Sequence, residues 1–360
     1  MATRVNEFAP QIRRKESTFR LMLEFLICCG VLFWCAVIFY FVRVDATHGV
    51  RALLIGLISV IFATIPDLFW NIPVLCNKEV AFGARIKEYF RKVAKSYSYV
   101  TGLVLALLLP VGIAYWQVMV TAIFATTVSK LIFGGFGHNI FNPAIVGRLF
   151  AQLCFSPKTY IGDAPADVIA GASATGGLPS VEKIDALPLW RIFIGDYRGT
   201  LGETFAVILL IICVYLCIRK IIDYRVPVAY IGTLFIAALI MFLCNKAGVD
   251  SFKYALEFVL AGGIVFGAVI CMTDPVTSPT SRAGRTIFAL GCAFFTLLIR
   301  AFTSSPEGVA YSILIMNGLT PLIDKVIKGR TRKNLVPIIV CSVLLVATLV
   351  LGLARGLKGF

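Results

Sequence analysis

An all-α fold that threads a membrane many times is what this sequence predicts, on three observations. Hydrophobic residues fill 59% of 360 positions, mean hydropathy is +0.89, and the apolar residues gather in runs of about 20, the length a helix needs to cross a bilayer core. No water reaches that core to satisfy backbone N–H and C=O groups, so such runs adopt helices, which satisfy their own. The chain has room for about ten or eleven spans. They lie near residues 21–43, 50–72, 99–117, 118–137, 139–155, 201–218, 227–244, 253–272, 286–303, 307–323 and 335–354.

The spans divide the chain into an N-terminal segment at 1–20, a first membrane half at 21–155, a polar loop at 156–200, a second half at 201–354 and a tail at 355–360. Residues 1–20 are polar and lack a small-residue cleavage site behind a short apolar core, so the first span is expected to stay as an anchor. The net charge of +15 does not mark a nucleic-acid binder, because the basic residues sit in short loops between spans and not along one face. Positive-inside placement explains them. Lys78, Arg85, Lys87, Arg91, Lys92 and Lys95 form one cluster, and Lys325, Lys328, Arg330, Arg332 and Lys333 another. Both are expected in the cytoplasm, with the 156–200 loop on the opposite side of a bacterial or archaeal cytoplasmic membrane and lipid as the surrounding partner.

Eleven cysteines lie mostly inside apolar spans without a C-x-x-C pair, so they read as small hydrophobes and no metal site is assigned. Two histidines, His48 and His138, are too few for a multi-histidine centre. No P-loop, dinucleotide glycine pattern or nucleophile triad stands out, and no complete catalytic site is expected on this chain alone.

Two polar interruptions break otherwise apolar helices in a similar way. One is Gly134-Gly-Phe-Gly-His-Asn139-Ile-Phe-Asn142-Pro143; the other is Met272-Thr273-Asp274-Pro275-Val-Thr277-Ser-Pro279. Asn or Asp directly before Pro ends a helix and frees backbone groups. At membrane depth such a break is tolerated only in protein or beside a cavity. A second echo supports duplication: Gly202-Glu203-Thr204 opens a span closing on Ile222-Asp223, and Pro306-Glu307-Gly308 opens one closing on Ile323-Asp324. Membrane proteins built from repeats place their sites on broken helices where the halves meet.

Asn139, Asn142, Thr273, Asp274 and Thr277 are therefore candidate binding residues, suited to the edge of a heteroaromatic ring or a partly dehydrated cation. The competing role for each is a helix cap. A charge at mid-bilayer costs at least about 2.5 to 3.5 kcal/mol, which draws attention to Glu24, Asp67, Lys130, Arg148, Glu203, Glu257, Asp274, Arg300 and Glu307. Asp274, Glu203 and Glu307 are the candidates for an ion pathway. Asp274 is either a cation-linked carboxylate or a cap paired with Arg282 or Arg285.

The polar loop contains Asp167-Val-Ile-Ala-Gly171-Ala-Ser173-Ala-Thr175, hydroxyls held in a Gly/Ala-flanked turn that a large reagent can reach. Together with Gly137-His-Asn-Ile-Phe-Asn-Pro-Ala144, Ile222-Asp-Tyr-Arg-Val-Pro-Val-Ala-Tyr230, Met272-Thr-Asp-Pro-Val-Thr-Ser-Pro279 and Pro321-Leu-Ile-Asp324, it resembles the RnfD family, the D component of the Rnf complex, which is the ion-translocating ferredoxin:NAD oxidoreductase. The blocks run from about residue 80 to 330 and are also similar to the B component of the sodium-translocating NADH:quinone oxidoreductase.

This resemblance implies FMN joined covalently, through its phosphate, to a hydroxyl of the outer loop by a flavin transferase. Register from Asp167 points to Ser173, and the family's preference for threonine points to Thr175. Ala170 replaces the usual hydroxyl residue. The resemblance further implies a non-covalent riboflavin near Asn139, Asn142 and the Asp274 block, the other Rnf components A, B, C, E and G as partners, and coupling to Na+ or H+. The rival reading is a flavin-free secondary transporter or channel, which leaves the Asp167–Thr175 segment without a role.

Overall fold

The apolar runs become helices whose ends are set by polar caps and by proline. A computed structural model describes residues 17–76, 81–155, 200–202, 205–244, 250–260, 263–302, 308–327 and 335–358. Helix α1 (Thr18–Phe39) starts where the Ser17 hydroxyl accepts the Arg20 N–H at 3.3 Å. It runs into a π-helical turn at Tyr40–Val44. Helix α2 (Ala46–Trp70) starts at Asp45, whose carboxylate accepts the Ala46 N–H at 2.8 Å and the Thr47 hydroxyl at 2.9 Å. Such side-chain acceptors satisfy donors that a helix N-terminus leaves open.

After the short α3 (Ile72–Cys76) comes α4 (Phe82–Ser96), so the stretch read from its charge as a basic loop is helical. Arg85, Lys87, Arg91, Lys92 and Lys95 lie on it, and Phe82 and Phe90 are exposed. A basic helix with aromatic residues on its apolar side suits the membrane interface. Then follow α5 (Ser98–Leu108), α6 (Tyr115–Thr126) with a π-helical turn at Thr127–Leu131, and α7 (Pro143–Cys154). The division between the third and fourth runs falls at 109–114, not at the expected 117, because Pro110 has no N–H to continue α5.

The second half holds α8 (Ala206–Ile218), α9 (Arg225–Cys244), α10 (Ser251–Leu260), α11 (Ile264–Phe266), α12 (Arg282–Phe302), α13 (Gly308–Val326) and α14 (Val336–Lys358). Helix α11 continues in a π-helical turn, Gly267–Cys271. Each of the eleven apolar runs contains a helix, and no strand occurs among the described residues. The polytopic all-α expectation is borne out. Among the described residues five helices are long and apolar enough to cross a membrane unaided, or six if α10 and the Ile264–Cys271 segment count as one bent span. The remaining runs are shorter or interrupted pieces.

Helix α2 packs along α5 and α6, while α12 packs against α9, α13 and α14; α7 touches α5, α6 and α13 and so links the two groups. One face of α1 buries Cys28, Cys29, Leu32, Phe33, Ala36 and Val37, and the other exposes Ile27, Val31, Trp34 and Ile38. Lipid is as apolar as leucine, so helix association here depends on close backbone approach at small residues. Gly352 and Gly356 of α14 show this. A Cβ at Gly352 would stand 2.6 Å from the Ala237 carbonyl oxygen of α9, and one at Gly356 would stand 2.5 Å from that of Met241.

Gly102 of α5 is as tight against α2. Its carbonyl accepts the Ser59 hydroxyl at 2.7 Å, and a Cβ there would meet the Ser59 carbonyl oxygen and the Val60 Cα at 2.7 Å each. Backbone cannot move aside as a side-chain tip can. Gly102→Val is therefore expected to cost about 3 kcal/mol through overpacking, seen as a lower unfolding temperature of the detergent-solubilised complex. An unchanged temperature would show that α2 and α5 separate freely.

Candidate functional site

Both polar interruptions follow a π-helical turn and meet at one end of the bundle. In the first, the chain leaves Thr127–Leu131 through Gly134, Gly135 and Gly137, at φ 108°, 96° and 93°, and enters α7 at Asn142-Pro143. In the second, it leaves Gly267–Cys271 and enters α12 at Arg282. Positive φ favours glycine, because a Cβ is crowded there. π-helical turns recur at functional sites, where they expose backbone groups that a regular helix would pair.

Asn142 joins the two interruptions. Its Oδ1 accepts the Ala144 N–H at 3.0 Å and caps α7, and its Nδ2 donates to the Cys271 carbonyl at 3.1 Å. Asn139 Nδ2 donates to the Phe141 carbonyl at 3.3 Å, and both asparagines are buried. Asp274 forms a tight turn: Oδ1 accepts the Val276 N–H at 3.2 Å and Oδ2 accepts the Thr277 hydroxyl at 3.3 Å. The Thr273 hydroxyl donates back to the Val269 carbonyl at 2.5 Å.

The two Ile-Asp pairs that close the Glu-led spans clamp this second loop. Asp223 receives Arg285 Nη1 at 3.1 Å, while Asp324 accepts the Thr280 N–H at 3.1 Å. Arg285 also donates to the Pro279 carbonyl at 3.0 Å. Of the two arginines considered as cap partners for Asp274, Arg285 thus pairs with Asp223.

Asn139, Asn142, Thr273 and Asp274 line one cavity of about 310 Å³; Thr277 lies behind it, bonded to Asp274. Tyr97 and Phe136, with ring centroids 4.8 Å apart, also line it, as do α1 residues from Thr18 to Phe25. Glu203, Glu307, Asp167, Gly171, Ser173 and Thr175 lie outside the described residues.

Sequence reasoning marked Lys130 and Asp67 only as ionisable groups inside spans. The structure brings them into one hydrogen-bonded chain at the cavity wall. Lys130, 2% exposed, lines the cavity. It donates to the Ser96 carbonyl and, at 2.6 Å, to Ser98 Oγ. Ser96 Oγ in turn donates to Asp67 Oδ1 at 2.7 Å. The only sequence signal was the cost of a charge in an apolar run, which demands a partner without naming it.

A cavity of this size falls at the lower end of ligand sites, about 300–1,000 Å³. Apolar and aromatic walls with a few amides, one ammonium and one carboxylate suit a flat, partly polar ring system.

A family model described as the NQR2, RnfD, RnfE family matches residues 5–333. The D component of the ion-translocating oxidoreductase complex of Stutzerimonas stutzeri is 32% identical over 67% of this chain and 76% of its own length. Its counterpart in the Na(+)-translocating ferredoxin:NAD(+) oxidoreductase complex of Acetobacterium woodii is 35% identical over 64% and 71%. That of the proton-translocating ferredoxin:NAD(+) oxidoreductase complex of Clostridium ljungdahlii is 32% identical over 88% and 92%. The family match takes in both interruptions and the loop between them, and the chain belongs to the NQR2, RnfD, RnfE family.

Proposed function

We propose that this chain is the membrane component of an electron-transfer-driven ion pump passing electrons from ferredoxin toward NAD, and that it carries flavin. The observation supporting this reading is the meeting of both interruptions at one cavity with aromatic walls and buried polar groups. The names of the relatives from Acetobacterium woodii and Clostridium ljungdahlii supply the reaction.

In this reading the cavity takes a non-covalent flavin. Tyr97 and Phe136 face its ring, the amides of Asn139 and Asn142 reach its polar edge, and Lys130 and Asp274 set the local charge. FMN is esterified to Ser173 or Thr175 on the extracytoplasmic loop by a flavin transferase, with Asp167 and Gly171 shaping the acceptor turn. When bound, the flavins supply the one- and two-electron redox chemistry that the side chains lack. The A, B, C, E and G components complete the assembly.

Moving one charge against about 100 mV takes roughly 2.3 kcal/mol, which a two-electron drop of about 50 mV provides. The proposed cation, Na+ or H+, passes by way of Asp274, Glu203 and Glu307 as the two halves alternate access.

The test is the native complex purified from its own membranes. Expected are flavin fluorescence on this chain in a denaturing gel, a second flavin released by acid, and ferredoxin-dependent NAD reduction. A colourless chain of unmodified mass would favour the flavin-free transporter, and quinone-dependent activity would move the assignment to the quinone-reductase branch.

A further inference from the structure

The cavity is lined by one cation, Lys130, and one anion, Asp274. Lys130 sits in the π-helical turn Thr127–Leu131, with its Nζ 5.8 Å from the centroid of the Phe136 ring. Two of its three donors are committed to the Ser96 carbonyl and Ser98 Oγ. No carboxylate of the described residues forms an ion pair with it within 4.0 Å. Asp67 is linked to it by hydrogen bonds through Ser96, both Asp67 and Asp274 act on it across space, and the second Asp67 oxygen, Oδ2, is buried with no hydrogen-bond partner.

Burying an ammonium costs several kcal/mol unless it is paired, and the usual solution is a carboxylate in contact. Here the carboxylate is held one serine away. The positive charge is steadied without a contact ion pair, and it lines a largely apolar cavity that it shares with Asp274. Such an arrangement favours negative charge that arrives in the space over negative charge already paired beside it.

We propose that Lys130 is the charge-compensating group of the cavity, stabilising the reduced state of the flat redox cofactor there, and that Asp67, acting through Ser96, is the positioning residue that sets how strongly it does so. This rests on the flavin assignment above. One electron arrives from a one-electron carrier in a partner protein of the complex; that carrier is oxidised, and the ring is reduced and gains one negative charge. No bond forms or breaks, and the proton stays on Nζ.

The signature is a pair of opposite shifts, which a merely structural role does not produce. In the intact complex, Lys130→Met keeps the length and removes the charge. It is expected to weaken retention of the reduced cofactor relative to the oxidised form at least tenfold, a fall of about 59 mV in the one-electron midpoint potential. Asp67→Asn keeps the acceptor for Ser96 and removes the opposing charge, so the potential rises. Lys130→Arg stays near the native value.

Spectroelectrochemical titration reads the potential, and acid release counts the non-covalent flavin. Flavin retained at native stoichiometry with an unmoved potential in Lys130→Met, or an unraised one in Asp67→Asn, overturns the proposal. If Lys130→Met fails to assemble, Asp67→Asn decides alone. A native complex with no releasable flavin overturns the cavity assignment and this proposal together, and the flavin count distinguishes that outcome.

Discussion

Alanine at the acceptor hydroxyl, Ser173 or Thr175, is expected to abolish covalent flavin on this chain, a complete loss of in-gel fluorescence and of the added mass. A phosphoester needs a side-chain oxygen as its bridge, and a methyl group offers none. The two hydroxyls stand two residues apart in Asp167-Val-Ile-Ala-Gly-Ala-Ser173-Ala-Thr175, so single substitutions separate them. The variant that keeps full fluorescence excludes its residue. Thr175→Ser, which retains an oxygen, should keep the adduct if Thr175 is the acceptor. Retention in both alanine variants, and in the double variant, would end the case for a flavin-bearing loop.

Substituting Asp274 has the second large effect. Asp274 lines the cavity, and its carboxylate oxygens hold the Val276 N–H and the Thr277 hydroxyl. Asp274→Asn preserves an acceptor for the turn and removes the charge a passing cation would meet. A charged group in a hydrogen-bonded contact contributes about 1.5–3 kcal/mol, so cation transport in vesicles should fall by roughly tenfold to a hundredfold while the chain still assembles. Asp274→Ala loses both roles and should do at least as badly. Unchanged pumping in either variant would reduce Asp274 to a turn-forming residue.

Much of this architecture was legible in the sequence because its signals are local. Apolar runs report helices, and Asn142-Pro143 and Asp274-Pro275 report where helices stop. Capping and cavity lining, posed as alternatives, coincide at Asn142, which caps α7 with its oxygen and lines the cavity as well. The break at 109–114 was missed because the run on either side of Pro110 is apolar enough to read through, and α4 because charge density hid its helical period. The Asp67–Ser96–Lys130 chain was out of reach for a different reason. Its members lie on α2, at the end of α4 and beyond α6, and only tertiary packing brings them together. Local spacing does not encode such contacts.

The Asn142 side chain, bonded at once to its own helix and to the Cys271 carbonyl, has a mechanical consequence. A hydrogen bond of 3.1 Å weakens steeply with stretching or tilt, so sliding the rim of one interrupted helix past the other strains this contact. Separating the two rims therefore costs this bond first, about 1 kcal/mol net.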